Sequence, residues 1–169
     1  MNIGDQEQNF ERTVRAYCAD LYRYAYWLCR NRHGAEDVVQ EALLRGWRAF
    51  PRLRERAAAK AWLYSIVRNE FLRSARRHGV LTESLDEIDV ADDRADAFGL
   101  EMREALMALP ASYAEPLALQ VLGGFSCAEI AVMLETTEGA VMTRLTRARQ
   151  ALKRLIAPAG AKERKGARP

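Results

Sequence analysis

Residues 124–152, GFSCAEIAVMLETTEGAVMTRLTRARQAL, decide how this chain is read. A first helix is predicted from Ser126 to Leu134, with Ser126 as N-cap and Glu129 three residues on to complete a capping box. Its apolar face is Ile130, Ala131 and Leu134. Glu135-Thr136-Thr137 is a turn, in which Thr136 or Thr137 can cap a second helix and Glu138 complements the positive end of that helix. In the second helix Val141, Leu145, Ala148 and Leu152 form the inward stripe, while Thr143, Arg144, Thr146, Arg147 and Arg149 lie mostly off it. An Arg-rich amphipathic helix taken alone is more often a solvated face. The capping box, the tight turn and the second helix together fit a helix-turn-helix whose second helix enters a DNA major groove.

The charge distribution agrees. Net charge is only +3 over 169 residues, yet residues 1–79 hold 15 Lys/Arg against 9 Asp/Glu, residues 80–100 hold 1 against 7, and residues 101–169 hold 10 against 7. Two basic blocks suit phosphate backbones. The acidic piece between them would be repelled by DNA and reads as a linker. No apolar run approaches the length of a membrane span, and the first residues lack the basic and apolar regions of a signal peptide, so a cytoplasmic location is expected. Cys18, Cys29 and Cys127 are scattered, with no CxxC or Cys/His cluster. A metal site or disulfide framework is not expected; the cysteines read as half-buried helix residues, with a redox sensor as the lesser alternative.

Every periodic segment is helical, so the expected fold is all-α: two small helical bundles joined by an acidic linker, the second a helix-turn-helix. In the first bundle (1–79), a helix from Gln8 to Cys29 aligns Phe10, Val14, Tyr17, Leu21, Tyr24 and Leu28. Asn31 to Gly34 reads as a turn. A second helix, Ala35 to Ala49, buries Val38, Val39, Ala42, Leu43 and Trp47 and stops at Pro51. A third, Ala58 to Arg77, buries Trp62, Leu63, Ile66, Val67 and Phe71. After the linker (80–100), Leu106, Leu109, Leu117, Leu119, Val121 and Leu122 supply the core of the second bundle (101–157). Pro110 ends one helix and Pro116 fits near the start of the next. The tail (158–169) reads as disordered.

Three segments, in order, resemble one family. AEDVVQEALLRGW (Ala35–Trp47) is similar to the second conserved segment of bacterial sigma-70 factors, AWLYSIVRNEFLRSARR (Ala61–Arg77) to the helix that follows it, and EGAVMTRLTRARQAL (Glu138–Leu152) to the DNA-reading fourth region. The length leaves no room for the large middle domain, which points to the extracytoplasmic-function (ECF) group. The resemblance implies core RNA polymerase (its clamp helices and flap), promoter DNA and an anti-sigma factor as partners, and no cofactor.

By resemblance, Asp37, Gln40, Glu41 and Leu44 dock on the basic clamp helices of polymerase; carboxylates and an amide on a rigid helix can pair with arginines, and Leu44 adds an apolar contact. The resemblance also implies that the loop from Arg52 to Lys60 captures a base of the -10 element as the strands part. Leu53 and Ala57 to Ala59 would line an apolar wall, with Arg52, Arg54, Arg56 and Lys60 on phosphates. On the third helix, Asn69 suits a base edge, and Arg68 and Arg73 suit phosphates. Gly139, Ala140, Met142, Thr143, Arg144, Thr146 and Arg147 form the -35 reading set, Arg144 more for phosphate or bracing. Ala140 and Met142 depart from the Thr and Lys/Arg common in the family, and Met142 can pack on a thymine methyl instead.

No catalytic constellation is visible: His33 and His78 sit in separate turns, and Gly123-Gly124 is a helix break rather than a phosphate cradle. The rival readings are a sigma-like adaptor that sequesters an anti-sigma factor and a stand-alone helix-turn-helix repressor. The repressor leaves Ala35–Trp47 unexplained.

Overall fold

A computed structural model describes residues 3–78 and 100–156 of the chain. The acidic linker, apart from Leu100, and the tail lie outside the described residues. The described residues form seven α-helices and no strand: α1 (Ile3–Cys29), α2 (Arg32–Ala49), α3 (Ala59–His78), α4 (Leu100–Met107), α5 (Ala111–Val121), α6 (Cys127–Met133) and α7 (Glu138–Ile156). Two 3-10 turns, Phe50–Arg52 and Arg56–Ala58, sit between α2 and α3.

Helices α1, α2 and α3 pack on one another through Leu21, Tyr24, Ala25, Val38, Val39, Ala42, Leu63, Tyr64 and Val67, all buried. Residues 32–34, read from sequence as a turn, are instead the first turn of α2. Asn31 is extended, and its Oδ1 accepts from the Gly34 N–H at 2.7 Å, meeting one of the donors that a helix start leaves open. Phe50 is wholly buried. Its ring lies edge-on to Phe10 at 5.1 Å, and the Arg56 guanidinium lies 4.5 Å from its centroid. This ring ties the loop after α2 to α1.

In the second set, α5 begins at Pro110, whose carbonyl accepts from the N–H groups of Tyr113 and Ala114 at 2.9 Å each. Pro116 is therefore buried inside α5, not near its start, and α5 runs through it without the backbone N–H that proline lacks. Val121, expected in the core, is 51% exposed. The turn after α5 carries Phe125 inward in its place: Gly124 adopts φ +66, and the N–H groups of Gly123 and Phe125 both donate to the Leu119 carbonyl. A Cβ on Gly123 would meet the Phe125 ring and come within 2.6 Å of that same carbonyl oxygen, so the turn needs glycine there.

The helix-turn-helix forms as expected. Ser126 and Glu129 make both halves of the capping box: Ser126 Oγ accepts from the Glu129 N–H at 3.2 Å and Glu129 Oε2 accepts from the Ser126 N–H at 2.8 Å. Of the two candidate caps for α7, Thr137 bonds the Ala140 N–H at 3.2 Å. Val141, Leu145 and Ala148 are buried.

The hydrogen bonds from Ser126 hold the Glu129 carboxyl below its ordinary value of 4.5. A depressed folded pKa means that this contribution to stability is complete above the ordinary value and is lost as pH falls from about 4.5 through the lowered pKa. Thermal unfolding followed between pH 6 and pH 3 is therefore expected to show a smaller acid-induced loss in Glu129→Gln than in the parent; parallel pH profiles would refute the contribution.

The two sets do not stand apart. Leu106, Leu109, Ala114 and Leu117 belong to the same contiguous buried cluster as Tyr24, Ala25 and Tyr64. Helix α5 packs on α1, and α6 on α3. The sequence predicted two bundles held by a tether; the structure adds an interface between them, because Tyr64 and Phe125 are apolar surfaces that neither set covers alone.

Candidate nucleic-acid interface

The outer face of α7 follows from its inner one. With Val141, Leu145 and Ala148 locked into the core, Met142, Thr143, Thr146 and Arg147 face solvent, and Met142 is 56% exposed. Gly139 is exposed with open space where a Cβ would stand, so another molecule's backbone can approach closely. Ala140 and Arg144 are half-buried. The Thr143 and Thr146 hydroxyls donate to the carbonyls of Gly139 and Met142, each at 2.9 Å. Their donor capacity is spent within the helix, leaving acceptor lone pairs and methyl groups outward, suited to a base amino group or a thymine methyl. Arg149 braces the fold, donating to Gln120 Oε1 at 2.5 Å.

On α2, Asp37, Gln40, Glu41 and Leu44 are exposed on one face, with Leu44 at 52%. Their neighbours are engaged within the chain: Glu36 pairs with Arg32 at 2.9 Å, and Arg45 pairs with Glu70 of α3 at 2.5 Å. Glu70 is the buried charged residue of the described core, 3% exposed, and lies 3.9 Å from Arg73 as well. Its role went unread in the sequence. Its place between Val67 and Phe71 on the inward stripe was the available signal, since a buried carboxylate needs cationic partners.

The basic loop splits. Arg52, Arg54 and Arg56 are exposed, as are Asn69 and Arg73 on α3. The apolar wall expected from Leu53 and residues 57–59 is not continuous: Leu53 is half-buried, Ala57 and Ala58 face solvent, and Ala59 turns into the core at the start of α3. Lys60 and Arg68 are half-buried and have partners within the chain. The Lys60 ammonium lies 5.4 Å from the Phe125 centroid and 5.8 Å from that of Tyr17. Arg68 Nε donates to Glu115 Oε1 of α5 at 2.7 Å, with both side chains largely buried.

Burial, reinforced by the nearby Asp37 carboxylate, pushes the Cys29 thiol up to about 12. Its thiolate, the reactive form, is therefore scarce near neutral pH, which disfavours a redox role for this residue. Among the described residues no group of His, Cys, Asp and Glu could hold a metal ion, and no helix is long and apolar enough to cross a membrane.

Comparison with known proteins bears on what these faces are. The Sigma-70 region 2 family matches residues 13–80, and the Sigma-70 region 4 family matches residues 99–152. The chain is 34% identical over 160 residues to the ECF RNA polymerase sigma factor SigM of Mycobacterium tuberculosis, covering 92% of this chain and 81% of that protein. The chain belongs to the ECF RNA polymerase sigma factors.

This ECF sigma factor is also 30% identical to SigE of Mycolicibacterium smegmatis over 91% of its own length, and spans 65% of that relative. Among solved structures it is similar to the sigma factor RpoE of Bartonella quintana, crystallised in complex with the anti-sigma factor NepR, with a TM-score of 0.73 at 27% identity over 93% of this chain and 99% of that one. Sigma factors are transcription initiation factors. In this ECF sigma factor, region 2 corresponds to α1 to α3 with their basic loop, and region 4 to the helix-turn-helix and the helices that support it.

Proposed function

We propose that this chain binds core RNA polymerase and directs it to promoters in the cytoplasm, acting without catalytic chemistry of its own. The α2 face of Asp37, Gln40, Glu41 and Leu44 docks on the basic clamp helices of the enzyme. Helix α7 reads the -35 duplex through Gly139, Ala140, Met142, Thr143, Thr146 and Arg147, with Arg144 bracing. The loop and α3 engage the -10 element: Arg52, Arg54, Arg56, Lys60, Arg68 and Arg73 hold phosphates, Asn69 meets a base edge, and Leu53 supplies an apolar contact. By analogy with the relative bound to NepR, an anti-sigma factor is the expected antagonist.

The observation that carries this reading is the α7 surface. A basic helix, fixed by a capped helix-turn-helix, presents Met142, Thr143, Thr146 and Arg147 to solvent in a chain of sigma-factor family. The test is Arg147→Ala. Arg147 is exposed, so folding should be unaffected, and removal of one base or phosphate contact is expected to weaken -35 duplex binding by about 1–3 kcal/mol. A gel-shift titration that superimposes on the parent would remove Arg147 from the interface.

A further inference from the structure

The outer face of α7 carries an apolar side chain that the core does not use. Val141, Leu145 and Ala148 fill the inward stripe, while Met142 stands 56% exposed on the opposite side. Gly139 lies one turn before Met142 on the same face, with nothing within 4 Å of the place a Cβ would take. The leading turn therefore adds no bulk that would hold Met142 away from a groove. Thr143 and Thr146 have both hydroxyl protons committed to the helix, on the carbonyls of Gly139 and Met142. Arg147 is exposed beside them, and Arg144 is half-buried. The face is short of donors and apolar at its centre.

We infer that Met142 is a specificity-determining residue that reads a thymine of the -35 duplex through the C5-methyl group of the base. The inference rests on the assignment of α7 to the -35 major groove. The base edges in that groove present acceptors and amino groups, and the apolar group among them is the methyl of thymine. A thioether pressed against acceptors or amino groups strips them of water and returns no comparable hydrogen bond, which costs binding energy. Against a methyl it strips nothing polar, and both apolar surfaces leave water together. Three rotatable bonds and a polarizable sulfur let the Met142 side chain settle on the methyl. The threonines sharpen the choice. With their protons spent, Thr143 and Thr146 accept but do not donate, so beside the methyl they favour the amino group of adenine or cytosine. Neither can donate to the O6 and N7 acceptors of guanine, and guanine recognition on this face falls to Arg147.

The test first selects duplexes with the full chain from a pool randomised across the -35 window. Fluorescence anisotropy then measures binding to the selected duplex with each thymine replaced in turn by uracil, which pairs as thymine does and lacks only the methyl. Parent, Met142→Ala and Arg147→Ala are titrated against the set. In the parent, uracil at one position is expected to weaken binding roughly three- to fivefold, the value of covering one methyl group. Met142→Ala should weaken binding to the thymine duplex by a similar factor and no longer distinguish thymine from uracil there. Arg147→Ala should bind more weakly yet keep the distinction. Met142 is exposed, so its variant should unfold at the temperature of the parent, which separates lost contact from lost fold. A selected duplex that tolerates uracil at every thymine, or has no thymine on either strand of the window, would overturn the Met142 assignment and leave α7 as the -35 reader. Equal uracil sensitivity in parent and Met142→Ala would overturn it too, because the methyl would then act through DNA shape rather than through this side chain. A pool from which no sequence is enriched removes α7 from -35 readout, and the inference falls with it.

Discussion

Phe50→Ala is expected to lower the stability of the chain by about 3–5 kcal/mol, the range for emptying a buried aromatic site. The ring is wholly buried, edge-on to Phe10 at 5.1 Å and 6.2 Å from Trp62, so the void would open where α1, the loop after α2 and α3 meet. None of these neighbours can collapse into it freely. Phe10 also packs edge-on to Trp47, and Arg56, whose guanidinium lies over the lost ring, would lose its aromatic partner. For a chain of this size the transition should move down by roughly 6–20 °C, at about 2–4 °C per kcal/mol. Urea and thermal unfolding followed by circular dichroism measure this directly, and Phe50→Leu should recover part of the loss. A cost below about 1 kcal/mol would mean that the loop is not anchored by this ring. Below the transition, -10 strand binding should suffer more than -35 binding, because Phe50 supports the loop that carries Arg52, Arg54 and Arg56.

Asp37→Arg is expected to reduce the affinity for core RNA polymerase by at least tenfold, because reversing a charge against a basic surface replaces attraction with like-charge contact, at a cost of several kcal/mol. Asp37 is exposed, with no hydrogen bond or ion pair among the described residues, so the unfolding free energy of the variant should stay within about 0.5 kcal/mol of the parent. Binding of the -35 duplex should be unchanged, since α7 is a separate surface. Co-purification and a competition assay with core enzyme provide the measurement, and equal recovery of variant and parent would rule out α2 as the docking face. An internal reporter comes with the substitution: the Asp37 carboxylate helps to hold the Cys29 thiol high, so Asp37→Arg should lower that pKa, readable from the pH dependence of thiol alkylation.

The parts of this molecule that the sequence determined are those set by short-range periodicity. Spacing of three and four residues placed Val141, Leu145 and Ala148 inward and Thr143, Thr146 and Arg147 outward, and the Ser126-Glu129 pair marked a helix start, because helix geometry alone relates such positions. Local rules misjudged the first turn of α2, where a side-chain cap from Asn31 outweighed the turn-like composition of residues 31–34. They also misplaced Pro116 and Val121, since the course of α5 depends on where Pro110 starts it and on how Gly123 and Gly124 return the chain. Only tertiary structure decided that Glu70 is buried against Arg45, that Arg68 answers to Glu115, and that Lys60 lies over Phe125. Those partners are 25, 47 and 65 positions apart in the chain. Periodicity tells which way a side chain faces from its own helix; what it meets there depends on how separate helices bury the apolar surface that none of them can cover alone.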